Sequence, residues 1–394
     1  MKMGWLKTTV GSAFDTATGG TPSKSNSAFY GNYLPLVKPP ELCNAELEAA
    51  EDGLSEEGAR VARIAPPNSI LVSCIGNLGK IGLNVVPVAF NQQINAILPD
   101  ASKAIPWFMF YQTLSCSFKE QLESLASGTT VPIVNKSKFN SVEIVLPPIA
   151  EQHRIVAILD DAFDGIATAK TNAEKNLQNA RALFESHLQS VFTEQGERWV
   201  ETTIGECIRF IDYRGKTPVK TDSGLRLITA KNVKMGYLQE SPMEFVAPDS
   251  YDAWMTRGIP KRGDVLFTTE APLANVAQLD TAEKVVFAQR IIIMQPEASR
   301  LDSTFLKYLL LSQPVQQRIH GKGTGATVKG IKASLLKTIE ISFPSALDVQ
   351  KAIVSKLDDL TIEVERLESL YQQKLTALDD LKKSLLHQAF SGQL

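Results

Sequence analysis

Cysteine is scarce in these 394 residues. Cys43, Cys74, Cys116 and Cys207 stand far apart and form no CxxC pair. That spacing argues against a thiolate zinc site and is read as a reduced, cytoplasmic protein. Histidine is as rare, and two of the four, His187 and His387, fall on long helical stretches where packing or solvation accounts for them. No window approaches the ~18 continuous apolar residues of a membrane span. The opening MKMGWLKTTVGS lacks the apolar core of a signal peptide.

Catalytic patterns are missing as well. The glycine-rich stretches SCIGNLGKIG and GKGTGATVKG resemble phosphate loops, but Lys80 is followed by Ile81 and Lys322 by Gly323, where a P-loop needs Ser or Thr. No GxGxxG follows a strand. The string PPNS at Pro66 has the wrong order for the NPP-type tetrapeptide of amino-methyltransferases, and no carboxylate pair precedes an ExK nuclease signature. The sequence is therefore read as non-catalytic and free of metal and cofactor. Two rival readings stand beside it: a self-contained DNA methyltransferase or nuclease with an unrecognised site, and a coiled-coil scaffold that binds no DNA.

What is present is a duplication. WLKTTVGSAF at Trp5 matches WVETTIGECI at Trp199, and GGTPSK at Gly19 matches GKTPVK at Gly215. FNQQINAILP at Phe90 matches FAQRIIIMQP at Phe287, and SGTTVPIV at Ser127 matches TGATVKGI at Thr324. EQHRIVAILDD at Glu151 matches VQKAIVSKLDD at Val349. The chain is longer than the ~250–300 residues at which one core stops growing, and the repeat shows how it divides. The expected fold class is α+β: mixed α/β globular domains at 1–148 and 199–344, each followed by a long helix, at 149–198 and 345–394. The net charge of −2 hides a basic excess of five over residues 205–340, against acidic helices. Such a distribution is compatible with nucleic-acid binding.

The last helix places Leu360, Val364, Leu367, Tyr371, Leu378, Leu381 and Leu385 at four-three spacing, a heptad seam that needs a partner. Shifted back by 198 residues, the seam becomes Ala162, Ile166, Ala169, Ala173, Asn176, Ala180, Leu183 and His187. Small residues facing large ones predict close packing in an intramolecular antiparallel coiled coil, with each helix roughly 60 Å long at 1.5 Å per residue. An approximate internal two-fold between the domains follows from the duplication.

Taken in this order and occurring twice, the WxxTTxG openings, the G-x-TP turns, LPPIAEQHRIVAILDD and the ending LLHQAFSGQL resemble the specificity subunit of type I restriction-modification systems. The resemblance covers essentially the whole chain. It implies two target recognition domains, each reading one half of a split double-stranded DNA site. It further implies helices that set the spacer and bind two methyltransferase (modification) subunits, with restriction/translocase subunits recruited through them. S-adenosylmethionine, ATP and magnesium would then belong to the partner subunits. Half-sites on one DNA face would lie near one helical turn, ~10 bp, apart.

Phosphate contacts call for Lys and Arg, and base readout for Arg, Lys, Asn and Gln. The candidates in the first domain are Lys24, Lys38, Asn77, Lys80, Lys136 and Lys138. Those in the second are Arg214, Lys216, Lys231, Asn232, Lys234, Lys322, Lys329 and Lys332. Gln92-Gln93 and Gln289-Arg290 recur in both halves, but within apolar runs, and are read as structural.

Overall fold

The computed structural model describes residues 4–128, 130–194, 196, 198–213, 218–325 and 329–394. It divides into two compact units, one of residues 1–175 and 371–394, the other of residues 176–370. Each long helix thus contributes one part to each unit.

In the first unit the opening strand Leu6–Thr9 pairs antiparallel with Glu143–Leu146, the last strand of the globular part, with Leu6 opposite Leu146. Between them lie two sheets. One has the order Thr16–Thr18, Ile94–Ile97, Ile70–Ser73, Ile81–Asn84, Ala45–Leu47, and the other Asp52–Leu54, Tyr30–Val37, Val88–Phe90, Ile64–Ala65. The apolar run Ile70–Ser73 is buried throughout because it is covered on both faces. Ile70 and Val72 face the core with Phe108 and Phe110 of the helix Pro106–Thr113, while Leu71 faces Phe90 and Ala96. This is the period-2 alternation of a pleated strand.

The second unit repeats the plan. Trp199–Thr203 pairs antiparallel with Glu340–Pro344, and Trp199 stands opposite Pro344. Its central sheet runs Ile208–Asp212, Ile291–Pro296, Val265–Thr268, Val276–Gln278, and its second sheet Lys220–Thr221, Glu244–Val246, Leu225–Ile228, Val286–Phe287. Val265 and Phe267 pack with Phe305 and Leu309 of the helix Ser303–Leu311, and Leu266 packs on the other side with Phe287. The glycine of each WxxTTxG opening serves close packing. A Cβ on Gly11 would come 2.5 Å from that of Asn140, and one on Gly205 would come 2.9 Å from that of Lys337.

The two long helices span Ile149–Thr193 and Leu347–Ser391, 45 residues each. Prolines at Pro147-Pro148 and Pro344 precede them. Within the first unit they run antiparallel, since Arg154 Nη2 donates to the carbonyl of Leu394 at 2.9 Å and Lys170 pairs with Asp379. Within the second unit Arg181 Nε lies 2.6 Å from Glu368, and Leu188 and Phe192 share a core with Leu357.

The seam differs from the sequence expectation on one flank. Ile166, Ala173, Ala180 and Val364 are buried; Ala162, Ala169, Leu360, Leu367, Tyr371, Leu378 and Leu385 are half-buried. Leu183, however, is 57% exposed and Leu381 46% exposed, and Asn176 and His187 also face solvent. Their places are taken by Leu177, Phe184, Leu188 and Lys382, and Leu375 packs beside Lys374. The packed flank lies four residues beyond Ala173 and Ala180 rather than three, and likewise beyond Tyr371 and Leu378. An α-helix of 3.6 residues per turn does not hold a strict seven-residue seam, so either flank can be chosen. Phe184 and Phe163 decide it, packing against Tyr308 and Tyr111 respectively. Among the described residues, no helix is long and apolar enough to cross a membrane.

Candidate nucleic-acid interface

Each globular part is fastened to its helices by the same two devices. In the first unit Gln152 is fully buried; its Oε1 accepts from the amide of Ile105 at 3.0 Å, and its Nε2 donates to the carbonyls of Lys103 and Pro147, both at 2.9 Å. In the second, Gln350 is also fully buried. It accepts from the amide of Asp302 at 2.8 Å and donates to the carbonyls of Arg300 at 2.8 Å and Pro344 at 2.7 Å. The phenol of Tyr111 donates to Asp160, and that of Tyr308 donates to Asp358 at 2.5 Å. Burial first, and then the neighbouring carboxylate, push both phenols above their ordinary range, which keeps them neutral donors.

In each domain turns converge at the end of the central sheet away from the glutamine fastening, where Ser73 stands opposite Ile94 and Thr268 opposite Ile291. In the first domain Ser73 Oγ donates to the carbonyl of Asn77 at 2.5 Å and accepts from the amide of Lys80 at 2.9 Å, tying the glycine-rich turn shut. Ile75 bridges Ile133, the amide of Gly76 donates to Pro132, and the amide of Val134 donates to Cys74. The helix Lys136–Asn140 follows at once, capped by Asn135, which accepts from the amide of Lys138 at 2.9 Å. Asn77 and Lys136 are exposed, and Lys80 and Lys138 half-buried. The backbone therefore brings these four candidates to one edge. Lys24 is exposed in the loop after the G-x-TP turn.

In the second domain Thr268 Oγ1 donates to the carbonyl of Pro272 at 2.7 Å and accepts from the amide of Asn275 at 2.9 Å, the same tie at the same spacing. Glu270 and Thr324 both bridge Gly330, and Ile331 donates to Thr269. The turn carrying Lys231 and Lys234 joins this edge, since Asn275 Nδ2 donates to the carbonyl of Val233 at 2.8 Å and the amide of Gly236 donates to Val276 at 2.7 Å. Lys231, Lys329 and Lys332 are exposed, and Lys234 half-buried. Arg214 and Lys216 lie outside the described residues.

Three candidates are spent on structure. Asn232 is 1% exposed, with Oδ1 accepting from Thr229 and Nδ2 donating to the carbonyls of Gln239, Glu240 and Pro242; it organises its loop and cannot reach a base. Lys38 pairs with Asp52, whose hydrogen bond holds the ammonium above its ordinary range. Lys322 Nζ donates to the carbonyl of Thr338 at 2.9 Å and to its hydroxyl at 2.8 Å. A sequence shows the charge of a residue but not a partner folded against it.

The structure also corrects the premise that the recurring polar pairs lie within continuous apolar runs. Phe90 and Ile94 belong to strands in different sheets, as do Phe287 and Ile291, so each apolar run is interrupted by a turn. Gln92 is exposed and accepts from Thr21 of the G-x-TP turn at 3.0 Å, and Arg290 is exposed. Arg63, unmarked in the sequence, is exposed in a cleft of about 490 Å³ lined by Gly19 to Ser23, with Nη1 donating to the carbonyl of Thr18 at 2.8 Å.

Among the described residues no group of three or more His, Cys, Asp or Glu could hold a metal ion. Burial pushes the Cys74 thiol up to about 12 and that of Cys207 up to about 11.

The chain resembles known proteins over its whole length. Residues 2–178 and 256–376 match the type I restriction modification DNA specificity domain. The type I restriction enzyme HindI specificity subunit of Haemophilus influenzae is 35% identical over 148 residues, spanning 36% of this chain and 32% of that protein. The MjaVIII specificity subunit of Methanocaldococcus jannaschii is 24% identical over 92% of this chain and 90% of its own length. The EcoKI specificity subunit of Escherichia coli is 20% identical over 99% and 89%. Two solved structures share the fold. A chain from work on complex assembly and conformational transition of the type I R-M system has a TM-score of 0.81 at 19% identity, covering 100% of this chain and 99% of its own. The HsdS subunit of Thermoanaerobacter tengcongensis has a TM-score of 0.64 at 18% identity, covering 100% and 98%. With a duplicated domain, a duplicated loop edge and a family match over most of its residues, the chain belongs to the family of type I restriction-modification DNA specificity subunits.

Proposed function

We propose that the chain reads a bipartite, asymmetric DNA site, one half-site per globular domain. It docks two methyltransferase subunits, and through them restriction/translocase subunits, with the length of its helices setting the spacer. Chemistry then resides on the partners, together with S-adenosylmethionine, ATP and magnesium. The observation that carries this reading is the duplicated edge. The tied turns at Ser73 and Thr268 share one backbone scheme and differ in the side chains presented, as two readers of different half-sites should. Lysines on both edges supply the phosphate attraction that positions a reader without specifying sequence.

Methylation mapping on DNA from cells that carry this chain with its methyltransferase subunit tests the proposal. The expected outcome is one split motif with a fixed spacer, absent when either subunit is omitted. A continuous motif, or methyl transfer by the purified chain alone, would remove this reading. DNA binding that neither falls with salt nor prefers a sequence would favour the scaffold.

A further inference from the structure

Among the described residues, the non-glycine positions with left-handed backbone are Asn44, Asn68, Ala271, Ala274 and Arg290. Asparagine enters that region readily, whereas alanine and arginine do so at a cost. The three costly positions gather at one place. Ala271 and Ala274 lie in the turn between Val265–Thr268 and Val276–Gln278. Arg290, at φ +78, ends the turn before Ile291–Pro296, and its carbonyl accepts from the amide of Thr269 at 2.9 Å and from the Thr269 hydroxyl at 3.3 Å. Strain of this kind persists only where surrounding bonds hold it, and it concentrates where a side chain must be aimed.

The aimed side chain is a guanidinium. Arg290 Nε lies 2.9 Å from Glu270 Oε1, and both side chains remain 45% exposed. Glu270 is seated in turn against the next loop, where a Cβ on Gly330 would come 3.2 Å from its Cβ and 3.5 Å from its Oε2. A carboxylate held on one side and pairing at Nε on the other fixes the plane of the fork. A fixed planar fork of donors matches O6 and N7 of guanine in the major groove. As a surface ion pair the contact would contribute too little to offset the backbone cost.

The first domain supplies the contrast. The carbonyl of Gln93 accepts from the amide of Cys74 as that of Arg290 does from Thr269, and Ile75 bridges Ile133 as Glu270 bridges Gly330. Backbone roles are kept while Gln and Ile replace Arg and Glu. We propose that Arg290, oriented by Glu270, is a specificity-determining residue that reads a guanine in the half-site of the second domain. This rests on the DNA-recognition reading above.

The test uses the complex of the chain with its methyltransferase subunit. The wild-type motif is first obtained by methylation mapping, and binding is then measured to duplexes in which each half-site base pair is replaced in turn. Arg290→Gly removes the side chain and suits the left-handed backbone, so its melting temperature should hold. Wild type should prefer one G·C pair about ten- to hundredfold. In Arg290→Gly that preference should flatten to within about threefold, with every other position and the spacer unchanged, and Arg290→Lys should restore it only in part. Preferences kept at every position, lost in both half-sites alike, or accompanied by loss of binding to all duplexes at an unchanged melting temperature would overturn the assignment. If the wild-type complex yields no motif at all, the DNA-recognition reading itself falls, which is a separate result.

Discussion

In the first globular unit a serine hydroxyl closes the glycine-rich turn and Ile75 carries the bridge to the next loop; in the second a threonine closes it and Glu270 carries the bridge. The first unit adds the strand Ala45–Leu47 parallel to Ile81–Asn84, whereas in the second the turn at Gly236 meets Val276 instead. Gln152 and Gln350, by contrast, make the same three hydrogen bonds, and Tyr111 and Tyr308 the same one. The duplication has been kept where a side chain joins the globular part to its helix. It has diverged where a side chain faces outward from the loop edge. Fastening tolerates little change because every buried polar group needs a partner. Presentation is free to change because its partner lies outside the chain.

The sharpest way to break this comparison is at the glutamines. Gln152→Leu should strand the amide of Ile105 and the carbonyls of Lys103 and Pro147, and Gln350→Leu the amide of Asp302 and the carbonyls of Arg300 and Pro344. With each buried unsatisfied group costing about 1–3 kcal/mol and three stranded per variant, each variant should lose about 3 kcal/mol or more. Urea unfolding followed by circular dichroism checks it. A large loss at one glutamine and none at the other would show that the two fastenings are not equivalent.

Much of this was legible in the sequence because the duplication printed it twice. The WxxTTxG openings, the proline boundaries and the two long helices are repeated strings, and repeats expose scaffold. The edge was less legible. Lys38 and Asn232 carry the composition of nucleic-acid contacts, yet a carboxylate and a ring of carbonyls consume them. Arg290 was hidden by the opposite error, because apolar neighbours on both sides read as one strand when they belong to two. Polar satisfaction and strand breaks both depend on contacts distant in sequence, which pattern alone does not carry.

A smaller effect sharpens the comparison at the tyrosines. Tyr111→Phe and Tyr308→Phe each remove a hydrogen bond to a carboxylate, about 1–2 kcal/mol. The two should not be equal. Asp358 has Lys307 Nζ at 4.0 Å, an ammonium whose burial holds it below its ordinary range, and Lys307 also lies over the Tyr308 ring. Phe110 precedes Tyr111 and offers Asp160 no such charge. Tyr111→Phe should therefore cost more, by a few tenths of a kcal/mol, in paired thermal melts. Equal losses would mean that Lys307 contributes nothing to the second fastening.

The smallest expected effect decides the register of the helices. If Leu183 and Leu381 lay in the heptad seam, replacing either by a polar residue would remove a buried leucine, a loss of about 2–5 kcal/mol. With Leu183 57% exposed and Leu381 46% exposed, Leu183→Gln and Leu381→Gln should each stay within about 0.5 kcal/mol of wild type. Phe184→Ala, one residue along the same helix, should cost several times more, because that ring packs against Tyr308. Urea unfolding of the chain alone separates the two registers. A loss at Leu183 as large as that at Phe184 would return the seam to strict heptad spacing, and small losses at both leucines fix it on the four-residue flank. Leucines that cost nothing in the free chain can still matter in the proposed complex, where their effect would be read in binding of the methyltransferase subunit rather than in folding.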